Sequence, residues 1–343
     1  MSALDDFLDA LSKWNLRLDQ TRGIETALRR LSDNELPVVL DFGQLAEYLG
    51  VQDELLADII NRSNGFYRNF NIAKRTGGSR EIAVPKPSLM AIQRVILTEI
   101  LEKIDVHYAA HGFIKGKGIL SNASQHLGCG RLLKMDIKDF FPSISLPRVI
   151  GMFRQFGYPL NAAFYLASIC CLNGKLPQGA PTSPYVSNII ARKLDNRLFS
   201  LASAKGAKYT RYADDIAISG FSIEPSWINF VSEIVRGEGF EINGRKTHFI
   251  WENSRKIVTG IVVNGLKPRL PRAFKKSVRQ EIYYLEKFGV ISSSERLNLD
   301  PLYLEQLQGR VSYLALVEGQ SDVMTHYMEA IAVEKQILDG EEL

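Results

Sequence analysis

The sequence predicts an α+β fold, a segment of mixed helices and short strands closed by helices at both ends. Three observations lead there. Short extended runs are confined to residues 74–263 of the 343. Apolar residues at helical spacing dominate before residue 60 and after residue 272. The strands do not alternate with single helices, as a doubly wound parallel sheet would require. The composition, 45% hydrophobic and 23% charged, fits neither a disordered nor a fibrous chain. No run of about 18 apolar residues suggests a membrane span. The opening MSALDDFLDALSKW is acidic and lacks the basic and apolar regions of a secretory signal. Three cysteines, two adjacent (Cys170 and Cys171), make neither a disulfide framework nor a CxxC zinc pair. A soluble protein of a reducing compartment, the cytoplasm, is expected.

In chain order, residues 3–60 read as short amphipathic helices. Phe42, Leu45, Ala46 and Leu49 form one apolar face ended by Gly50, and Leu55, Leu56, Ile59 and Ile60 form the next. The string Lys74 to Pro85 carries Gly77-Gly78 between two extended runs and predicts a basic β-hairpin. Residues 88–104 show a helical stripe of Leu89, Ile92, Val95, Ile96, Ile100 and Leu101. Leu132–Ile137 reads as a buried strand, 147–171 as a helix, and Leu176–Pro181 as a Pro/Gly loop before a helix at 184–200. Tyr209–Ser219 reads as two strands meeting at the Ala-Asp step. A helix at 225–237, a strand ending near Ile250, the apolar run Ile257–Val263 and a helical end at 272–340 complete the order.

Charge is unevenly spread along the chain. Residues 1–60 carry 5 Lys/Arg against 12 Asp/Glu, residues 62–134 carry 12 against 4, and residues 255–287 carry 9 against 2. Two basic blocks flank a centre that holds carboxylates, which suits a polyanion held along its backbone, although lysines solvating helix faces give the same count. Asp136 closes one apolar strand, and Asp214-Asp215 sit where two others meet. A carboxylate beside Met135 and Ile137 is costly to bury without positive charge nearby. Strand-end carboxylates brought together would hold two hard cations about 3.5–4 Å apart, as in-line phosphoryl transfer requires. An ordinary polar turn at Asp214-Asp215 is the plainer alternative.

These residues also carry a resemblance. Tyr212-Ala213-Asp214-Asp215 resembles the YxDD signature of reverse transcriptases, and Lys134–Phe141 resembles their first catalytic motif. Leu176–Pro184 matches their LPQGxxxSP loop, and Gly239–Thr247 resembles their later lysine motif. Asn122-Ala123-Ser124-Gln125-His126 and Val258-Thr259-Gly260 resemble the NAxxH and VTG patterns of the bacterial retron enzymes. The resemblance implies a right-hand polymerase of fingers, palm and thumb with a ferredoxin-like palm sheet. It implies a helical N-terminal extension at 1–60, fingers and palm at 61–265 and a helical thumb at 266–343. The short chain is expected to lack RNase H, maturase, endonuclease and effector domains.

The resemblance also assigns roles. Asp136, Asp214 and Asp215 would be catalytic and, with the Ile137 carbonyl, would bind two magnesium ions. Phe141 falls where the family excludes a ribonucleotide 2′-OH, or else packs beside Phe140. Gln178 and Gly179 would lie under the incoming nucleotide, and Arg80, assisted by Lys74, would grip its triphosphate; either cation could equally be a solvated hairpin charge. Lys246 would give a proton to the departing pyrophosphate, or form an ion pair. Asn122 and His126, four apart, would read RNA, or serve as a cap and a packing residue. Val258, Thr259 and Gly260 would grip the primer, or form a strand with a bulge. Lys267, Arg269, Arg272, Lys275, Lys276 and Arg279 would clamp template and primer, with Tyr283, Tyr284 and Tyr313 near sugar or base, or in packing. The expected partners are dNTPs, a dedicated structured non-coding RNA, its branched RNA–DNA product (msDNA) primed from a guanosine 2′-OH, and a separate effector in antiphage defence. A different bacterial reverse transcriptase, of group II intron, diversity-generating or abortive-infection type, and a non-catalytic RNA-binding scaffold are the alternatives.

Overall fold

The computed structural model describes residues 18–73, 77–297, 300 and 302–339. Its N-terminal helices are α1 (Leu18–Asp33), α2 (Phe42–Leu49) and α3 (Asp53–Asn61), and the part of the expected helical region before residue 18 lies outside the described residues. The Asp41 carboxylate accepts from the Gln44 amide at 2.9 Å and caps α2, which Gly50 ends at φ 66°. Leu45, Leu56 and Ile59 share one buried cluster with Phe153 and Leu166, so these helices pack into the main core.

A hairpin forms from β1 (Tyr67–Ala73) and β2 (Ser79–Pro85), with Ala73 opposite Ser79, so its first strand lies before the Lys74–Pro85 string in which it is expected. Only Tyr67 of β1 is buried, so the hairpin stands out from the core. Next come α4 (Pro87–Glu99), a 3₁₀ turn at Leu101–Lys103 and the short α5 (Ile119–Ser124).

Four antiparallel strands make the central sheet: β3 (Arg131–Asp136), β4 (Lys208–Tyr212), β5 (Asp215–Gly220) and β6 (His248–Ile250), in the spatial order β4-β5-β3-β6. Between β3 and β4 run α6 (Leu146–Gln155), α7 (Leu160–Cys170), α8 (Ser183–Ile190) and α9 (Arg192–Ser203), and α10 (Trp227–Gly237) precedes β6. This is the split βαββαβ order of a ferredoxin-like sheet, with four helices in the first crossover. The sequence predicts one helix at 147–171, but Gly157, at φ 112°, and Pro159 divide it. At Gly157 a side-chain carbon would lie 2.3 Å from the Ala27 carbonyl oxygen, so the break seats α1. The helix expected at 184–200 bends at Ala191, where ψ is −4°.

Residues 257–263 form a hairpin, β7 (Ile257–Val258) and β8 (Ile261–Val262), rather than a bulged strand. Its two-residue turn is Thr259 (φ 45°) and Gly260 (φ 87°), the left-handed pair of a type I′ turn. The chain ends in α11 (Arg272–Leu297), kinked at Gly289, α12 (Tyr303–Glu318) and α13 (Asp322–Asp339). Val278, Ile282, Leu307, Val311 and Ile331 give these helices their own core. A further buried cluster of Leu132, Ala217, Val258, Leu270 and Leu314 joins them to the central sheet.

Candidate active site

The site is built where two strands end. Leu132, Leu133 and Met135 are wholly buried and fix β3, which delivers Asp136 opposite Asp215 of β5. The Ile137 amide donates to the Asp214 carbonyl at 2.8 Å, so the two acidic motifs are bonded directly to each other. Tyr212 pairs with Asp215, leaving Ala213-Asp214 as a tight turn with Ala213 at φ 54°.

A buried ion pair holds that turn. The Arg211 guanidinium, fully buried, donates to both Asp195 carboxylate oxygens at 2.7 Å, to Asn188 Oδ1 at 3.0 Å and to the Ala213 carbonyl at 3.0 Å. The Tyr209 hydroxyl donates to the same carboxylate at 2.6 Å. Sequence reasoning missed this group. The signal was an arginine inside an apolar strand, which has to be paired, but nothing in the spacing named Asp195. Along the outer edge of β4, the Arg211 amide donates to the Ala109 carbonyl and its carbonyl accepts from the His111 amide, each at 2.8 Å.

The carboxylates are short of positive charge. Burial, then the Asp136 charge, pushes the Asp214 carboxyl above the ordinary range, with Asp215 adding to the rise and Lys246 opposing it. Burial also raises Asp215, opposed mainly by Lys134, whose ammonium lies 3.4 Å from it. Lys246 Nζ sits 2.7 Å from Asp136 Oδ1, so the ion-pair alternative for Lys246 is present in the structure. Crowded carboxylates raised in this way are a hard-oxygen donor set that fits a divalent cation. Among the described residues, no three acidic, histidine or cysteine side chains converge at metal-binding distances.

Ser79, Arg80, Asp139, Asn173, Lys175 and Gln178 line a cleft between the hairpin, the segment after β3 and the Leu176–Pro181 loop. The Gln178 carbonyl accepts from the Ala83 amide at 2.8 Å, tying the Leu176–Pro181 loop to β2. Gly179 has φ 120°, and a side-chain carbon on it would lie 2.7 Å from the Ala83 carbonyl oxygen. The close approach that requires glycine here is therefore to β2. Phe141 is half-buried, with ring centroids 5.6 Å from Phe140 and 6.2 Å from Phe113, and Phe113 stands 6.2 Å from Tyr212. Lys74 lies outside the described residues.

Residues 72–281 match the family model for reverse transcriptase (RNA-dependent DNA polymerase). The retron Ec86 reverse transcriptase of Escherichia coli is 33% identical over 296 residues, covering 85% of this chain and 89% of that protein. This chain belongs to the retron-type reverse transcriptases. The retron Mx162 reverse transcriptase of Myxococcus xanthus is 34% identical over 287 residues, covering 74% of this chain and 58% of that longer protein. Among solved structures, telomerase from Candida albicans aligns over 78% of this chain and 63% of its own, with a TM-score of 0.42 and 12% identity. A retron-type reverse transcriptase is an RNA-directed DNA polymerase of the right-hand architecture, and the four-stranded sheet is its palm. No described helix is long and apolar enough to cross a membrane.

Several of the residues expected to contact RNA are engaged within the fold. His126 is buried, with Nδ1 2.7 Å from Ser219 Oγ and Nε2 2.8 Å from Thr210 Oγ1, so both ring nitrogens are engaged by the palm hairpin. Asn122 is also buried, its amide 3.4 Å from the Thr259 hydroxyl, which in turn donates to the Ile119 carbonyl at 3.0 Å. The NAxxH and VTG motifs therefore meet each other inside the fold. The Val258 side chain is wholly buried in the seam below the sheet. Lys275 is engaged by Glu318 at 3.1 Å, whose carboxylate also accepts from the Leu270 amide. Lys267, Arg269, Arg272, Lys276 and Arg279 are exposed.

Proposed function

We propose that this reverse transcriptase copies part of a dedicated structured RNA into single-stranded DNA, starting from an internal guanosine 2′-OH of the same RNA and yielding a branched product. The observation that carries the catalytic part is the bond between Ile137 and Asp214, which sets Asp136, Asp214 and Asp215 at one end of the palm sheet. Asp136, Asp214 and Asp215, with the Ile137 carbonyl, would hold divalent magnesium. Bound there, the ions would lower the pKa of the attacking hydroxyl and offset charge on the leaving pyrophosphate.

The chain's own residues do the rest. Arg80 on the exposed face of the hairpin takes the triphosphate bidentately, assisted by Lys74. Gln178, fixed to β2 through its carbonyl, sets the floor of the nucleotide site. Phe141 fills the space a 2′-hydroxyl would need, so deoxyribose is accepted and ribose refused. Lys246 keeps an ammonium proton beside Asp136 for the departing pyrophosphate. The exposed cations at the start of α11 hold the backbone of template and primer. The resemblance to retron enzymes extends this reading to antiphage defence with a separate effector protein.

The test is the nucleic acid that copurifies from cells carrying the gene with its flanking DNA, resolved on a denaturing gel before and after RNase and debranching enzyme. A discrete DNA that shifts on both treatments and vanishes with Asp214→Asn, while the variant still binds RNA, is the expected result. Extension of an ordinary primer on RNA without any such DNA would remove the branched priming and leave the polymerase. A DNA product unchanged in Asp214→Asn would remove the assigned carboxylate.

A further inference from the structure

Phe113 stands out on backbone, exposure and position together. It is a bulky residue at φ 62°, a left-handed conformation that favours glycine and strains any other residue. The residue is 48% exposed, so burial does not explain why the strain is kept. Ala213, of the turn that carries Asp214, is another non-glycine residue at positive φ, and its neighbour Tyr212 has its ring 6.2 Å from that of Phe113. Phe113 is also held firmly. A side-chain carbon on the preceding Gly112 would lie 2.7 Å from the Ala213 nitrogen, and the Gly112 carbonyl accepts from the Asn188 amide at 2.9 Å. The locked segment places the ring 6.2 Å from the centroids of both Phe141 and Tyr212.

We propose that Phe113 is a positioning residue for sugar selection: it braces Phe141 against Tyr212 and so fixes the wall that meets the nucleotide ribose. The proposal rests on the reading of Phe141 given above. The rings recorded beside Phe141 are those of Phe140, at 5.6 Å, and Phe113, at 6.2 Å, so loss of Phe113 removes one of the two. A ring free to turn away leaves room for a 2′-hydroxyl, so discrimination falls while chemistry with the deoxynucleotide is largely kept. A backbone held at positive φ is what keeps Phe113 in this place.

The experiment is single-nucleotide extension of a primer on RNA with magnesium, giving kcat/KM for a dNTP and the matching rNTP. The full chain is compared with Phe113→Gly, Phe113→Tyr, Phe141→Ala and the Phe113→Gly/Phe141→Ala double variant. Glycine is native to φ 62°, so Phe113→Gly removes the ring and relieves the backbone, and its melting temperature is expected to stay near that of the parent. Phe113→Gly is expected to lower the dNTP/rNTP ratio by about 2- to 10-fold, the worth of one aromatic contact. Phe113→Tyr is expected to restore the ratio, and the double variant to discriminate no worse than Phe141→Ala. An unchanged ratio in Phe113→Gly, with a collapsed one in Phe141→Ala, would overturn the bracing role alone. Losses that multiply in the double variant would also overturn it, since Phe113 would then act directly on the nucleotide. An unchanged ratio in Phe141→Ala would remove the reading of Phe141, and the brace with it.

Discussion

His126 shows at the scale of one residue what spacing alone conveys. The spacing of four predicts one helical face shared with Asn122, but α5 ends at Ser124, and the two side chains bond to different partners, Asn122 to Thr259 and His126 to the palm hairpin. Whether that face looks outward is decided by Thr210 and Ser219, more than 80 residues away. The same limit hid Asp195, whose role exists only because α9 lies against Arg211. The catalytic motifs escape it because their chemistry is local: Asp136 and Asp214-Asp215 are strand ends wherever the strands go. Burial, reinforced by His111, pushes the His126 imidazole down to about 3, against about 6.5 in an unfolded chain. The folded protein then binds fewer protons than the unfolded one between those values, and stability falls as pH drops through that window. Urea unfolding is expected to show about 2 kcal/mol less stability at pH 5 than at pH 7.5 from this residue. His126→Gln is expected to flatten that part of the curve, and an equal pH slope in the variant would show that His126 is not its source.

Elements were legible wherever their ends carried a chemical mark. β3 is stopped by Asp136, β4 and β5 meet at Ala213-Asp214, α2 is stopped by Gly50, and each observed limit lies close to the one its sequence predicts. The division of 147–171 was not legible, because the apolar period runs on through Gly157 and the cause of the break, α1 pressed against that glycine, is tertiary. Thr259-Gly260 likewise hid a hairpin inside one apolar run. The joint between β2 and the Leu176–Pro181 loop gives an element-scale prediction. Gly179→Ala places a carbon 2.7 Å from the Ala83 carbonyl oxygen at an already left-handed φ, so the loop and the hairpin have to separate. A cost of about 1–3 kcal/mol in unfolding free energy is expected, with the KM for dNTP rising more than kcat falls. A rise in neither would show that this joint does not position the nucleotide.

For the whole molecule, the order of strand-like and helix-periodic segments predicts a helix-capped α+β chain, and the architecture follows it. The acidic N-terminal stretch joins the main core through Leu45, Leu56 and Ile59, which charge could not show. The basic block at 255–287 is heterogeneous: Lys275 is engaged by Glu318, whereas Arg272, Lys276 and Arg279 are exposed on α11. If these three face an RNA backbone, the log of its affinity falls linearly with log salt. Arg272→Ala with Lys276→Ala is expected to reduce the slope by roughly 0.7–0.9 per lost phosphate contact, nearly independently of RNA sequence. A slope equal to the parent's would place the RNA on another face.

The seam below the palm has a mechanical meaning. Leu132 belongs to the strand that ends in Asp136 and Ala217 to the one that begins with Asp215, and both are packed with Leu270 and Leu314 of the C-terminal part. A load on the C-terminal helices is therefore not lost in a slack tether. It arrives as shear on the two strands whose tips carry the carboxylates, making the protein a loaded beam with its working point at one end.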